Sequence, residues 1–234
     1  MRILVKLSGE SLRGDLPPGG GNYNEPTLAS IAANVQALRD AGNEVALVVG
    51  GGNLFRGSDL VGKFAIERST ADYIGMLATV QNALILRDYF ESKGIHTRVS
   101  SAIEMRQVCE EYMPRRVIRH LEKGRVVIFA AGLGAPFFTT DTTAVQRALE
   151  IGVDSLVMAK NGVDGLYSAD PDLDPSAAFI QTITATEVLE QNLKAADQAA
   201  IALAKEQDLT IKIIGVKDIA RATDPEIGSL ILPQ

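Results

Sequence analysis

VALVVGGGNLFRG, residues 45–57, passes from an apolar run directly into three consecutive glycines and then reaches an arginine. A short apolar run bounded by glycines is typical of a buried strand in a parallel sheet. Glycine loses more conformational freedom on folding than any other residue, so three in succession are entropically costly. We therefore expect the turn to need bare backbone, either for a tight strand-to-helix connection or for a ligand that approaches the main chain.

The rest of the chain alternates strand and helix patterns around this segment. Because this alternation is typical of a parallel sheet between helices, it predicts an α/β fold, a three-layer sandwich around a mainly parallel sheet. We expect a single domain, residues 1–234, whose C-terminal third forms a second lobe on the same sheet. Strands are predicted at 2–7, 44–49, 95–100, 125–129, 154–158, 209–215 and 229–232, and helices at 24–43, 71–90, 114–122, 141–151, 185–193 and 195–207.

Composition excludes several classes of protein. The net charge of −6 disfavours nucleic-acid polymers and anionic membranes as partners. The one cysteine, Cys109, allows no internal disulfide, and with only two histidines present we expect neither a Cys/His zinc site nor a histidine-centred triad. The first apolar run is too short for a signal peptide and no 18-residue apolar span occurs, so we expect a cytoplasmic protein that does not cross a membrane.

Loops rich in small residues follow four of the predicted strands. In doubly wound sheets, ligands bind beyond the carboxyl ends of the strands. Glycine lets backbone N–H groups approach a phosphate, and a helix N-terminus adds partial positive charge. Tight turns alone would give a similar pattern, but four such loops beside Lys6 and Arg56 favour phosphate binding. The loops are SGES, GGGNLFRG, AAGLGAPFFTTD and KNGVDGLY.

Five motifs occur in a fixed order: KLSGE, GGGNLFRG, DYIGMLAT, PFFTTDTTA and VDGLYSADP. Together they give a chain that resembles the bacterial-type uridylate kinases of the amino-acid kinase superfamily over essentially its whole length. The resemblance implies the amino-acid kinase fold, with an acceptor-binding lobe at about 1–159 and an ATP-binding lobe at about 160–234. It implies transfer of the γ-phosphoryl group of ATP to UMP, giving UDP and ADP in pyrimidine nucleotide biosynthesis.

The same resemblance implies catalytic roles for Lys6, Arg56 and Asp141. Lys6 would bridge the donor phosphates, and the planar fork of Arg56 would hold the acceptor phosphate. Asp141, near a predicted helix start, would either cap that helix or orient Lys6. The acceptor is already an ionised phosphate, so catalysis is mostly positioning and charge neutralisation and needs no general base.

Two nucleotide sites follow from the matching motifs. At Gly51 and Gly52 we expect a Cβ atom to stand where a phosphate oxygen must come. The ATP-binding residues implied are Lys6, Leu7, Ser8, Gly9, Gly52, Arg56, Asn161, Tyr167 and Asp170. The UMP-binding residues implied are Gly51, Asp72, Leu133, Gly134, Ala135, Pro136, Phe137, Phe138, Thr139 and Thr140.

Some of these residues have a simpler structural interpretation. Asp72 could only complement a helix dipole, and one of Phe137 and Phe138 is expected to be a core residue. Asp197 is either part of the magnesium environment or a solvated carboxylate on a helix face. Mg²⁺ is therefore expected to be held mainly by ATP phosphates, with no protein metal ligand.

The chain departs from the family pattern at positions near both nucleotides. Relatives commonly carry Thr where Leu133 stands and Asn where Ala135 stands, so uracil selectivity would depend on backbone groups and the threonines. Gly162 occupies the place of a second lysine, for which Lys160 is a candidate substitute.

Regulation and assembly are also implied by the resemblance. Arg87, Arg98 and Arg125 match the family's site for the activator GTP, although scattered surface arginines would look the same; UTP would inhibit. The family forms hexamers, and the helix at 71–90 is apolar on more than one face, which independently favours burial between subunits. Two alternatives stay open: another small-molecule kinase of the superfamily, acting on carbamate or N-acetylglutamate, and a nucleotide-binding regulator without turnover.

Overall fold

The computed structural model describes residues 1–17, 19–55, 65–171 and 173–234. Within these residues the strands form one nine-stranded sheet and a separate two-stranded hairpin. The strands are β1 (Arg2–Leu7), β2 (Glu44–Val49), β3 (Thr97–Ser101), β4 (Glu110–Glu111), β5 (Val126–Ala130), β6 (Ser155–Lys160), β7 (Leu166–Tyr167), β8 (Phe179–Ile180), β9 (Thr182–Thr184), β10 (Ile211–Gly215) and β11 (Ser229–Leu232).

Helices connect most of these strands. The helix Glu25–Asp40 has a typical N-terminal cap: the Asn24 side chain accepts a hydrogen bond from the Thr27 N–H, and Pro26 stands in the first turn. The helices are α1 (Glu10–Arg13), α2 (Glu25–Asp40), α3 (Arg68–Ser92), α4 (Pro114–Glu122), α5 (Thr140–Ile151), α6 (Ala185–Glu190) and α7 (Gln198–Glu206), with a 3₁₀ helix at Val216–Arg221.

The large sheet has the order β4-β3-β5-β2-β1-β6-β10-β11-β9. Among the described strands, every neighbouring pair in it is parallel except β10 with β11. After β1 the chain moves to one side of the sheet, and after β6 it moves to the other. The carboxyl ends of β1 and β6 therefore flank a topological switch point, where open α/β sheets bind ligands.

Apolar side chains cover both faces of the sheet. In β1, Ile3 and Val5 join a buried cluster with α2 and α3, whereas Leu4 joins a second cluster with α4 to α7. This alternation follows from the two-residue period of a strand. The predicted three-layer sandwich is thus confirmed, with one helical layer on each face.

The predicted elements are confirmed with shifts at their ends. The predicted helix at 71–90 is longer, Arg68–Ser92, while the one at 195–207 is shorter, Gln198–Glu206. The elements that were not predicted are α1, β4, β7, β8, β9 and the 3₁₀ helix. In the described part of the chain, no helix combines the length and apolar character that crossing a membrane requires.

Candidate active site

A buried ion pair lies at the switch point. Lys6, near the end of β1, contacts Asp141 in the first turn of α5, with 2.6 Å between Nζ and Oδ1. The cap of α5 is Thr139, whose side chain accepts hydrogen bonds from the N–H groups of Asp141 and Thr142. Of the two roles considered for Asp141, the structure therefore shows the one in which it holds Lys6.

Lys160, the last residue of β6, belongs to the same charged group. Burial would raise the pKa of Asp141, but the charges of Lys6 and Lys160 outweigh it and hold that pKa below its ordinary value. Burial lowers the pKa of Lys160, against the opposing charges of Asp141 and Asp197. The structure thus brings a second lysine to the pair. This lysine is Lys160, at the end of β6, while the place of the family's second lysine is taken by Gly162.

Asp197 is not the solvated carboxylate on a helix face that its sequence context also allowed. It caps α7, accepting the Ala200 N–H at 2.8 Å, and it also accepts the hydroxyls of Thr139 and Thr142. Its own N–H donates to Asp141 Oδ2 at 3.3 Å. Asp197 therefore ties the start of α7 to the start of α5. Across the described ranges, no group of three or more His, Cys, Asp or Glu side chains could hold a metal ion.

A cavity of about 290 Å³ lies beside this ion pair, between the glycine turn, α3 and the loop 131–139. Gly134, Pro136 and Phe137 belong to the loop but are not among the residues that line the cavity. Sequence reasoning missed several lining residues, including Thr79 and Thr143 on helices. The predicted residues that line it are Gly51, Gly52, Asp72, Leu133, Ala135, Phe138, Thr139 and Thr140.

Asp72 connects α3 to the loop 131–139. It pairs with Arg68, at 2.9 Å between Nε and Oδ1, and accepts the Phe137 N–H at 2.8 Å. The N-cap position of α3 is Glu67, and the first turn holds no acidic residue. The interpretation of Asp72 as a dipole-complementing residue is therefore wrong. Its carboxylate lies at the cavity.

Phe137 and Phe138 are both exposed, at 69% and 53%. The expectation that one of them is a core residue is wrong. Phe137 adopts a positive φ of 72°, and its N–H is held by Asp72, so the chain turns sharply there. The Phe137 ring is covered by the guanidinium of Arg68, whose central carbon lies 5.9 Å from the ring centroid.

The glycine turn is required by packing. A Cβ on Gly51 would lie 2.8 Å from the Gly75 carbonyl oxygen and 2.9 Å from Ala78 Cβ in α3. A Cβ on Gly52 would lie 2.8 Å from the carboxylate carbon of Glu10. For Gly51, the expectation that a Cβ would stand in the place of a phosphate oxygen is wrong, because the backbone of α3 already fills that direction. At Gly52 the neighbour is the flexible end of the Glu10 side chain, so the expectation for Gly52 stays a prediction.

Asn82 fixes the same turn from within α3. It is fully buried and donates to the Gly50 carbonyl at 2.6 Å and to Asn53 Oδ1 at 2.7 Å. Its own oxygen accepts the Tyr23 hydroxyl at 2.8 Å and the Asn53 amide at 3.2 Å. One buried amide therefore joins α3, the glycine turn and the segment before α2. The sequence signal for it is an asparagine inside an apolar helical stretch, ATVQNALIL.

Two further cavities of about 400 Å³ each are lined by residues from Lys160 onward in the sequence. Asn161 and Tyr167 line both, Asp170 lines one, and Lys160 lines the other together with Lys217, which was not predicted. A hydrogen bond from the Tyr167 hydroxyl to Asp164, at 2.8 Å, raises the pKa of that tyrosine.

The residues at the end of β1 have local partners. Gly9 is the N-cap of the short helix α1, and the hydroxyls of Ser8 and Ser11 are 2.8 Å apart. A Cβ on Gly9 would meet Asn53 Oδ1 at 2.6 Å, so this turn and the glycine turn pack directly together. Leu7 is fully buried. Arg56, the predicted phosphate-binding arginine, lies outside the described residues.

The three predicted regulatory arginines do not all lie at one site. Arg87 and Arg98 line a cavity of about 680 Å³ together with Arg106 and Arg116. In the part of the chain that the structure describes, Arg125 is not in that lining; it lies 3.0 Å from His120 Nδ1. The other nitrogen of His120 is 3.0 Å from Glu110, which does line the cavity.

The fold and this arrangement can be compared with known proteins. The sequence model described as "Amino acid kinase family" matches residues 1–215. That is well over half of the chain, and the match includes the switch-point ion pair and every strand of the large sheet except β11. The chain belongs to the amino acid kinase family.

Individual relatives narrow the class. The chain is 46% identical to the uridylate kinase of Pediococcus pentosaceus over 92% of this chain and 88% of the relative, and 48% identical to that of Streptomyces avermitilis over 98% and 91%. The crystal structure of UMP kinase from Bacillus anthracis superposes with a TM-score of 0.92 at 38% identity, covering 100% of this chain and 96% of that one. Within its family, the chain falls in the uridylate kinase group.

Proposed function

We propose that the protein is a nucleoside monophosphate kinase that transfers the γ-phosphoryl group of ATP to UMP, giving UDP and ADP in pyrimidine nucleotide biosynthesis. The observation that carries the proposal is the Lys6–Asp141 pair with cavities on both sides. Thr140, next to Asp141, lines the 290 Å³ cavity, and Lys160, which interacts with Asp141, lines one of the 400 Å³ cavities. Two bound nucleotides could therefore meet at one charged group, as the reaction requires.

The chemistry assigned to Lys6 is charge neutralisation. A phosphate oxygen of UMP attacks the γ-phosphorus of ATP while the bond from that phosphorus to the β–γ bridging oxygen breaks. Negative charge grows on the leaving oxygen, and a fixed ammonium beside it lowers the barrier. Asp141 keeps Lys6 at this place, and Arg56 is proposed to hold the acceptor phosphate.

The 290 Å³ cavity is proposed as the UMP site. Asp72 would accept the ribose hydroxyls; a carboxylate offers several acceptor positions, so it can keep the Phe137 N–H as well. Leu133 and Ala135 present no side-chain hydrogen-bonding groups to the base, which leaves backbone groups, Thr139 and Thr140 to select uracil.

The cavities near β6 and β7 are proposed as the ATP site. Asn161, Tyr167 and Asp170 would contact the base and ribose. The phosphates would extend toward Lys6 and the backbone of Leu7, Ser8, Gly9 and Gly52.

Magnesium is proposed to arrive with ATP. The carboxylates nearest the reaction centre are already engaged, Asp141 with Lys6 and Asp197 with two threonines. This donor set does not form a cage for Mg²⁺, which commonly keeps several waters and binds through substrate phosphates. When bound, the ion would neutralise phosphate charge.

We also propose the regulation and assembly that the family resemblance implies. Four arginines against two glutamates, Glu110 and Glu111, give the lining of the 680 Å³ cavity an excess of positive charge, which suits a nucleoside triphosphate such as the activator GTP, with UTP as the inhibitor. Tyr73 and Leu77 are both exposed on α3, as expected for a helix covered by another subunit of a homo-oligomer, proposed to be a hexamer. The chain is proposed to work as one domain in the cytoplasm, with lobes at about 1–159 and 160–234.

The proposal is tested by coupled ADP release with UMP, CMP, carbamate and N-acetylglutamate side by side, with and without GTP. UMP is expected to be the preferred acceptor. Faster turnover with carbamate or N-acetylglutamate would instead identify another kinase of the superfamily. Nucleotide binding without turnover on any acceptor would identify a regulator.

A further inference from the structure

Arg147 is a buried cation outside the residues assigned above. It lies in α5, on the helix that carries Asp141, and its side chain is 6% exposed. Its guanidinium contacts Glu150 at 2.6 Å and donates to the carbonyl of Gly132 at 3.3 Å. A buried arginine with directed partners holds a fixed geometry, because its planar fork loses less freedom per hydrogen bond than a flexible ammonium.

The guanidinium is held from its other sides as well. Its central carbon lies 3.7 Å from the centroid of the Tyr112 ring, a distance at which a cation is attracted by the ring face. The Tyr112 hydroxyl donates to Glu150, the same carboxylate that pairs with Arg147. Tyr112 and Glu150 therefore orient Arg147 toward Gly132.

Gly132 belongs to the loop that lines the 290 Å³ cavity. The chain enters this loop with positive φ at Ala131, 61°, and at Gly132, 56°. For a residue such as alanine this conformation is uncommon and persists only when surrounding contacts enforce it. Contacts that hold this entry include the Ala131 N–H to Thr79 Oγ1, at 2.8 Å, the Gly134 N–H to the Ala131 carbonyl, at 2.9 Å, and Arg147 to the Gly132 carbonyl.

We propose that Arg147 is a positioning residue for the phosphoryl acceptor. It is not among the residues lining the cavity; it acts on the acceptor through the Gly132 carbonyl, which sets the path of the loop 131–139. This proposal rests on the proposed function, in that the 290 Å³ cavity takes UMP. It predicts an effect on acceptor binding that is separate from ATP binding and from overall stability.

The test compares Arg147→Lys with wild type in steady-state kinetics. Lysine keeps the charge but loses the fork that reaches Glu150 and Gly132 together. The loss of one such hydrogen bond is expected to raise KM for UMP about 3- to 10-fold while KM for ATP and kcat stay near wild type. Tyr112→Phe, which removes only the bond to Glu150, is expected to change KM for UMP in the same direction by less.

Lys212→Met is the matched control. Lys212 is also a buried cation that donates to backbone carbonyls, those of Ala222 and Asp224, on a different part of the sheet. It is expected to lower Tm without changing KM for UMP. An equal rise of KM in both variants, or no rise in Arg147→Lys, would overturn the proposal.

Hydrogen–deuterium exchange separates this proposal from the proposed function. Arg147→Lys is expected to speed exchange in the segment 131–139 relative to wild type, whichever acceptor the enzyme uses. Unchanged exchange there would overturn the positioning role even if UMP is the substrate. Faster exchange combined with no UMP-dependent ADP release would support the positioning role and count against UMP.

Discussion

At the scale of single residues, the proposed function depends most on the Lys6–Asp141 pair. Both side chains are largely buried, and Thr139 caps α5, which leaves the Asp141 carboxylate available for the lysine. Lys160 and Asp197 complete the charged group from β6 and α7. Four separate elements thus meet at one buried charged group.

Lys6→Ala is expected to lower kcat about 10²- to 10³-fold, because it removes a fixed charge aimed at the developing negative charge. The fold should survive, since Lys160 still faces Asp141. The measurement is kcat by coupled ADP release, with circular dichroism for folding and the exposed Lys123→Ala as a control expected to keep full activity. Near-normal turnover in a folded Lys6→Ala protein would contradict the assignment.

Asp141→Asn is expected to make the free energy of unfolding depend less on pH in the acidic range. Although burial opposes it, the charges of Lys6 and Lys160 hold the pKa of Asp141 below its ordinary 3.8. The folded chain therefore binds this proton less tightly than the unfolded chain, and the stabilisation by the carboxylate is complete above about pH 5 and declines as pH falls below about 4.

Urea unfolding of wild type and Asp141→Asn from pH 7 down to pH 3 measures this effect. Wild type is expected to be more stable by about 1–3 kcal/mol at pH 7, with the difference narrowing on acidification. A difference that stays constant or widens toward pH 3 would show that the carboxylate is not stabilised by its lysines.

Single residues also show where sequence reasoning stops. The pairing of Asp141 with Lys6 was one of two alternatives, and the strand-end lysine and helix-start aspartate were visible in the sequence. The exposure of Phe137 and Phe138 was not, because it depends on a positive φ and on a hydrogen bond to Asp72, 65 positions away. Asn82 and Arg147 were missed because their contacts with Gly50 and Gly132 join segments that are distant in sequence.

At the scale of elements, the glycine turn after β2 is defined by its contact with α3. Gly51→Ala is expected to destabilise the protein by about 1–3 kcal/mol, because its Cβ would overlap the Gly75 carbonyl and Ala78. Thermal or urea unfolding gives the change in free energy.

Gly75→Ala is the matched control from the opposite side of the same contact. Its Cβ would meet nothing within 4 Å, and the residue is helical, so the substitution is expected to stabilise by about 0.5–1 kcal/mol. If Gly51→Ala were as stable as wild type, the packing explanation of the triple glycine would fail.

The elements that were predicted from the sequence are mainly those long enough to show the apolar periodicity of a strand or a helix. Strands β1, β2 and β5 and helices α2 to α5 carry five or more residues of clear apolar patterning, and they appear where expected. Strands β4, β7 and β8 have two residues each and α1 has four, so hydrogen-bonding partners and not periodicity define them.

At the scale of the whole molecule, α3 exposes apolar side chains that the proposed oligomer would cover. Tyr73 and Leu77 are 45% and 46% exposed and lie one turn apart on the helix. Leu77→Asp is expected to break an oligomer that wild type forms, since a charge would be buried in the interface. Sedimentation velocity at micromolar concentration measures the change.

Leu173→Asp serves as the control for that experiment. Leu173 is 82% exposed and belongs to the acidic loop after β7 and not to α3, so the oligomer should persist. A wild-type protein that sediments as a monomer would contradict the assembly proposed for this family member.

The central claim is that a phosphoryl group passes between two nucleotides at the switch point held by Lys6 and Asp141. Phosphorus-31 NMR of the protein with ATP, Mg²⁺ and UMP observes that transfer directly. UDP and ADP are expected to appear in equal amounts as ATP and UMP disappear. Release of ADP with inorganic phosphate and no UDP, or unchanged ATP and UMP, would contradict it.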